Sequence, residues 1–515
     1  MKRFFDLWRA RIRKLLKACQ GRPVALIILF GLSLLNLISE WPSDIPRPSF
    51  VDRVDETLPD TFKSARQLLF DQFQRHYPRM PATQPVIIVE IDEETLASVG
   101  QWPWPRDRLA GLIDAIAAQQ PLAIGLDIYM PEPDQTSPER VADNLPPSAK
   151  TLAAALRALP MHDEILAQSL RAAPTVLGAA ALDHPALATR TSMRSAPIVL
   201  HGSDPLDRVR RFEYVLASLP VLQAAAHGQA LLSVALEQGV VRHLPLVMGL
   251  GDKLVPSLPM EMLRIATGSP ALDVYADHSG VQAVGVADVQ VPTQPGGDIW
   301  LHFASIRSTL ARYVSARDVL QGKLDPQRFR DKLVLVGLTG AGVTDMRTTP
   351  LGELVPGIEI QAQVIETIFD GRFLLRPTWL KWAETGFIMV VGLLIVWYVP
   401  RKNTRLAMFM TAVPKGIALV GVSLHLLNVL CCFYIFIHFG LLVDAAAIFI
   451  ILSAVMGCFL SPSLLHLQRL ATAEAALARE VPLVQVQAQI QAQARAHASA
   501  PSEKNEGGAG EAPGS

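Results

Sequence analysis

The chain has 515 residues, half of them apolar, with a mean hydropathy of +0.28 and 47 basic against 47 acidic side chains. A neutral chain has no bulk charge to draw it onto nucleic acid or toward an acidic partner. Its apolar residues are clustered, so part of the length goes into a membrane and only the remainder builds water-soluble domains. The four cysteines, Cys19, Cys431, Cys432 and Cys458, lie in or next to apolar segments. None forms a CxxC pair or a metal-ligand spacing, so they read as buried or lipid-facing thiols, and no metal or cofactor is implied.

The N-terminus (1–22) carries Lys2, Arg3, Arg9, Arg11, Arg13, Lys14, Lys17 and Arg22 before an apolar run at 23–38. No small-x-small cleavage site follows; the chain continues Ser39-Glu40-Trp41-Pro42, which marks an uncleaved anchor rather than a signal peptide. Three further spans are expected at 379–399, 415–436 and 441–460. Basic residues favour the inner side, and Arg401, Lys402 and Arg405 between the first two of these agree with the N-terminal cluster. Both clusters put residues 39–378 outside the cytoplasm and the tail after 461 inside it. Trp379, Trp382, Trp397 and Tyr398 fall near span ends, where amphipathic rings prefer the interface. Asp444, near the outer end of the last span, is expected to reach the headgroup region.

Residues 85–91 form a β-branched apolar run, a buried strand ending in Asp92-Glu93-Glu94. A turn, Gly100-Gln101-Trp102-Pro103-Trp104-Pro105, leads into 106–119, where Leu109, Leu112, Ile113 and Ile116 give a helical stripe. A second strand at 121–127 ends in Asp127. Strand, helix, strand at this spacing is a βαβ unit and calls for a parallel sheet. Asp92 and Asp127 then fall on one sheet edge, the carboxyl edge at which α/β sheets bind ligands. Helices are expected at 161–171, 219–227 and 256–267, and strands at 175–181, 300–303 and 332–337. The last strand runs into Leu338-Thr339-Gly340-Ala341-Gly342-Val343-Thr344-Asp345, which is neither a Walker loop nor GxGxxG and reads as a tight structural turn. The stretches 131–148 and 202–207 read as surface loops.

The fold class is therefore α/β: a mixed, mostly parallel sheet flanked by helices, with four transmembrane helices, one N-terminal and three C-terminal. Candidate ligand-binding residues are Asp92, Trp102, Arg106, Asp127, Thr339 and Asp345. The competing structural roles are Trp102 and Trp104 as core covers, Asp92 and Glu93 as helix caps, and Arg106 pairing with Asp127 to hold the turn.

The string over 87–127, with Ile91-Asp92-Glu93-Glu94-Thr95-Leu96, Gly100-Gln101-Trp102-Pro103-Trp104-Pro105-Arg106 and Ile124-Gly125-Leu126-Asp127, resembles the opening of a CHASE2 domain. Gly239-Val240-Val241-Arg242-His243-Leu244-Pro245-Leu246, Pro256-Ser257-Leu258, Asp318 to Gly322, Lys332 to Gly337, Asp345, Thr349-Pro350-Leu351 and Pro356 to Ile360 follow in the family's order. The resemblance covers about residues 50–375 and the membrane part. It implies an extracytoplasmic sensory domain of a bacterial inner-membrane signalling protein, with residues 39–378 in the periplasm. Leu301-His302-Phe303-Ala304 and Glu359-Ile360-Gln361-Ala362 depart from the family's usual Asn-Tyr-Arg-Gly and Glu-x-His-Ala, which puts ligand identity in doubt if those positions touch a ligand.

CHASE2 chains commonly continue into a cyclase or kinase. Here residues 461–500 read as a cytoplasmic helical segment with marginal heptads and 501–515 as a disordered tail. Neither carries a GGDEF-like string, a kinase Gly-rich loop or a metal-binding carboxylate pair; His466 reads as a solvated helical histidine. The leading function is a membrane-anchored sensor, not an enzyme. It would bind an unknown small ligand or a periplasmic protein and relay the signal to a separate cytoplasmic signalling protein. The resemblance implies a homodimer, and membrane lipid is the remaining partner. The alternatives are a membrane scaffold with a partner-binding periplasmic domain, and an extracytoplasmic enzyme using Asp92, Glu93, Asp127 and Asp345, for which no GxSxG elbow or histidine cluster is present.

Overall fold

The computed structural model describes residues 22–41, 61–186, 189–233, 237–342, 345–398 and 416–459. The basic N-terminal cluster up to Lys17, the basic patch at 401–405 and the segments 461–500 and 501–515 lie outside the described residues. The chain divides into two compact units: Gly31–Met389 with Ser423–Ile450, and Met1–Phe30 with Val390–Val422 and Ile451–Ser515.

Helices α1 (Arg22–Ser39) and α2 (Thr61–His76) precede a seven-stranded sheet. Its strands are β1 (Val86–Ile91), β2 (Ala123–Leu126), β3 (Thr175–Leu182), β4 (Tyr214–Leu216), β5 (Gly228–Leu231), β6 (Tyr313–Ser315) and β7 (Leu333–Leu338). Their order is β6-β1-β7-β2-β3-β4, with β5 also pairing β3. Every pairing is parallel except β3 with β4. The sequence alternation dictates two buried faces. Ile87, Val89, Ile91, Ile124, Leu126, Val334 and Val336 point to one face. There they meet Leu109, Leu112, Ile113 and Ile116 of α4 (Arg106–Ala117), which follows the short α3 (Glu93–Val99), and Leu166 and Leu170 of α5 (His162–Ala172). Val86, Ile88, Val176, Leu333 and Leu335 point to the other. They meet Met260 and Met262 of α6 (Leu258–Ala266) and Ile358, Ile365 and Ile368 of α7 (Gly357–Asp370). Each such aliphatic side chain contributes roughly 1.5–3 kcal/mol by leaving water.

The register aligns Val86 with Leu333 and Leu333 with Ala123, so β1, β7 and β2 start level; β1 and β7 also end together, Ile91 against Leu338, whereas β2 ends earlier, Leu126 against Val336. One sequence expectation is corrected here. The strand expected at 300–303 is Asp298–Trp300, because the amides of Phe303 and Ala304 are taken by the side chains of Gln74 and Gln363 at 3.0 and 3.1 Å, not by a neighbouring strand. The region before it also holds a sheet absent from the sequence expectations: Val289–Pro292, Gly280–Val286, Leu272–Asp277 and Ile198–Gly202, in that order.

Among the described residues, three helices are long and apolar enough to cross a membrane: Arg22–Ser39, Thr378–Tyr398 (α8) and Leu419–Phe439 within α9 (Gly416–Phe439). Ala445–Phe459 is a shorter apolar helix. It starts later than the expected 441 because the Asp444 carboxylate caps it, accepting from the Ala447 amide at 2.8 Å. In the second unit Leu29 packs where Gly392 has no side chain, and the Arg22 guanidinium lies 5.8 Å from the centre of the Trp397 ring.

In the first unit the domain-proximal ends of these helices are tied together by buried charge. Arg376 donates to Glu40 at 2.6 and 2.7 Å, to Glu384 at 2.9 and 3.0 Å, and to the Leu442 carbonyl at 2.5 Å. Arg66 of α2 lies 2.8 Å from Glu40 and 3.3 Å from Asp444. Lys381 donates to Glu40 and to the Asn36 carbonyl. Burial alone would raise the Glu40 pKa, but Arg376 and Arg66 outweigh it and hold the carboxyl well below the usual range. Asp444 is fully buried, and α2 supplies the guanidinium of Arg66 as its partner. Phe70 and Phe73 of α2 pack beside this network with Leu374, Leu380, Phe436 and Leu442.

Removing one member leaves its partners buried and uncompensated, at a cost of roughly 3–5 kcal/mol. Arg376→Met is therefore expected to lower the unfolding temperature of the detergent-solubilised chain by many degrees. An unchanged unfolding curve would show that the network carries no net weight.

Candidate functional site

The ends of β1, β7 and β2 place Asp92, Thr339 and Asp127 directly after three neighbouring parallel strands. Asp92 and Asp127 follow the strands on opposite sides of β7, and Asp127 sits level with Gly337, two residues before Thr339, so they separate across that strand. Leu126 faces α4, so Asp127, the next residue, faces the α7 side. There Gly337 makes room: a Cβ at that position would lie 2.6 Å from Ile358 and 3.3 Å from the Asp127 Cβ.

Asp127 opens into a cavity of about 580 Å³, a volume suited to a small organic ligand. Apolar walls come from Ile128, Phe212, Leu232, Leu338 and Ile358, and Trp102 and Tyr129 supply further aromatic surface. Polar groups come from Asp127, Asp345, Arg210, Arg347, Ser233 and Gln361. Arg347 is paired with Asp345. Arg210 is half-exposed, with its guanidinium 4.8 Å from the Phe212 ring centre and 3.8 Å from Asp183. The Asp127 carboxyl has no hydrogen-bond or ion-pair partner among the described residues. Burial pushes it up to about 6, and Asp345 adds to the shift. Gln361 is 2% exposed, and its Oε1 has no hydrogen-bond partner among the described residues.

Of the six residues singled out in the sequence, three line this cavity: Trp102, Asp127 and Asp345. Asp92 and Thr339 lie instead on a separate acidic groove of about 420 Å³ with Glu90, Glu93 and Glu94. Asp92 is spent as the cap of α3, accepting from the Thr95 amide at 2.7 Å and from the Ser315 hydroxyl at 3.2 Å. Thr339 donates to Glu90 at 2.9 Å. The amides of Thr339 and Gly340 both donate to the Ile91 carbonyl at 3.2 Å, so the glycine-containing stretch begins as a structural turn.

Arg106 lines neither space, and its expected pairing with Asp127 is overturned. It opens α4 on the opposite face of the sheet from Asp127, where the first turn of α5 brings Asp163 to 3.8 Å. Trp104, 2% exposed and donating to the Gly100 carbonyl at 2.7 Å, covers the core.

Sequence reasoning did not pick out Arg210, Arg347, Ser233 or Gln361 as site residues. Arg210 and Ser233 come from far-separated loops with no local signal. Gln361 had one, since it sits in Glu359-Ile360-Gln361-Ala362, the string that departs from the resemblance noted above. His302, in the other departing string, is buried elsewhere against the Tyr77 carbonyl. Among the described residues no group of three or more His, Cys, Asp or Glu side chains could hold a metal ion.

The CHASE2 domain family matches residues 54–397 of the chain. No curated protein and no solved structure matches it.

The raised carboxyl gives a signed pH dependence. An unfolded aspartate titrates near ~3.9, so between about 4 and 6 the folded state holds more protons than the unfolded one, and stability falls as pH rises. Asp127→Asn removes that loss. It should be more stable than the parent by on the order of 1–3 kcal/mol above pH 7 and nearly equal near pH 4. Thermal unfolding of both proteins at the two pH values checks this, and equal differences at both would place the shift elsewhere.

Proposed function

The chain belongs to the CHASE2 domain family, and from that membership we propose that it is a multi-pass bacterial inner-membrane sensor. Four helices span the membrane, the fourth beginning at Ala445. Residues 39–378 stand in the periplasm, and the cavity beside Asp127 and Gln361 takes a small ligand without turning it over. The change is relayed to a separate cytoplasmic signalling protein, and the working unit is a homodimer.

The observation that carries this reading is the cavity's place at the carboxyl edge of the parallel sheet, where α/β folds bind ligands. A continuous run of contacts supports the relay. Gln361 on the cavity wall belongs to α7, and the same helix presents Glu366 and Asp370 to Arg79 at 2.9 and 2.6 Å. Arg79 follows α2 by three residues, and α2 carries Arg66 into the charge network with Arg376 and Glu384. A ligand moves such a system only by its differential affinity for two states, and α7 and α2, joined through Arg79, are the elements that link the two ends.

The relay is tested by crosslinking the chain in native membranes and identifying partners by mass spectrometry. Capture of a cyclase, kinase or other output enzyme on residues 461–500 supports it. Capture of periplasmic or envelope proteins alone would make the chain a scaffold and end the sensor reading.

A further inference from the structure

The chemistry of the cavity wall narrows the ligand class; this step rests on reading the cavity as the ligand site. Among the described residues the inner wall carries two unpaired acceptors, the Asp127 carboxylate and the Gln361 amide oxygen, and one unpaired donor, the Arg347 Nε. Asp127 has no partner among the described residues, and Gln361 is buried with its amide nitrogen 3.4 Å from the Leu232 carbonyl and its oxygen unpaired. A buried acceptor left unsatisfied costs about 1–3 kcal/mol, so the site favours a ligand that donates. The arginines do not reverse the sign. Arg347 spends a terminal nitrogen on Asp345 and keeps its Nε unpaired, and Arg210 is half-exposed against Phe212. An anion in the cavity would meet the unneutralised Asp127.

We propose that the cavity binds a small primary ammonium compound on an apolar or aromatic body, with the nitrogen between Asp127 and Gln361. An ammonium brings three donors and a full charge to one point, which matches one carboxylate and one amide oxygen. A quaternary amine would leave the Gln361 oxygen unpaired. A divalent metal ion takes six or more oxygens, or a trio of protein ligands, and the wall supplies neither. The body of the ligand packs on Ile128, Phe212, Leu232 and Ile358, and Trp102 adds aromatic surface to the wall. Such a ligand has two sources, a free amine or an amino acid whose carboxylate is met by Arg210.

The test is calorimetric titration of the full chain in nanodiscs at pH 7.5 with 2-phenylethylamine, L-phenylalanine and 3-phenylpropionate. The amine is expected to bind saturably and the nitrogen-free acid not to bind. Asp127→Asn should weaken the amine by about 10- to 100-fold, the loss of one charge-assisted hydrogen bond. Gln361→Leu should weaken it less, and affinity in the parent should fall as pH drops through about 6, where Asp127 takes a proton. Binding of L-phenylalanine, with Arg210→Ala selectively weakening it, identifies the amino-acid source; binding of the amine alone identifies the free amine. Binding of 3-phenylpropionate that survives in Asp127→Asn would overturn the ammonium assignment while leaving the cavity a ligand site. Absence of binding by all three would overturn this assignment too. A thermal shift with a mixed panel of neutral and anionic metabolites, abolished by filling the cavity with Ser233→Trp, would then separate that failure from failure of the ligand-site reading.

Discussion

The pairing of Arg376 with Glu40 and Glu384 fixes what every other element must do. Charges withdrawn from water are tolerated only when their partners stand in place. This cluster draws its members from far-separated parts of the chain: the end of α1, the middle of α2, the start of α8 and the cap before Ala445. The network therefore sets which ends of the apolar helices meet. It also requires α2 to lie against them, since Arg66 is the second cation on Glu40. The apolar cluster of Phe70, Phe73, Phe436 and Leu442 forms around that requirement.

α2 is then a joint with two engaged sides. Toward the α/β domain, Asp71 accepts both arms of Arg242 at 2.9 Å, and Gln67 and Lys63 meet Glu237. His243, next to Arg242, lies 2.9 Å from Asp298 and 3.5 Å from Glu237. Burial would lower its pKa, but those two carboxylates push it up to about 10, so it stays charged through the neutral range. The family string around Val241-Arg242-His243 is thus a clamp on α2 and lines no part of the cavity. The cavity is served by α7, whose remaining acids hold Arg79 and Arg312 in a second buried set. One helix touches the ligand space and the other touches the membrane helices, and Arg79 connects them.

Much of this architecture is legible in the residues. The β-branched runs of β1, β2 and β7 and the stripe of α4 announce a parallel sheet with covered faces, and the apolar runs announce the candidate spans. What was hidden depends on long-range pairing. Asp127 and Arg106 look like partners in sequence, yet alternation about Leu126 sends the aspartate to the α7 face while Arg106 opens a helix on the other. The pairing of Asp444 is invisible in sequence because its partner, Arg66, is hundreds of residues away. The cavity's Arg210 and Ser233 come from loops whose local pattern says nothing about what they face. In the sheet of Leu272–Asp277 and its neighbours, that strand alternates buried with less buried residues and was legible in the residues, whereas Ile198–Gly202 is exposed along most of its length and shows no such alternation.

The claim that α2 is a rigid joint is open to direct measurement by hydrogen exchange of the full chain in nanodiscs. If the buried charge network and the Asp71–Arg242 clamp hold as described, the amides of Thr61–His76 exchange as slowly as those of β1 and β7. Glu384→Gln then speeds exchange in α2 while leaving the central sheet protected. Exchange in α2 of the parent as fast as that of exposed loops would contradict the joint, and with it the route from cavity to membrane.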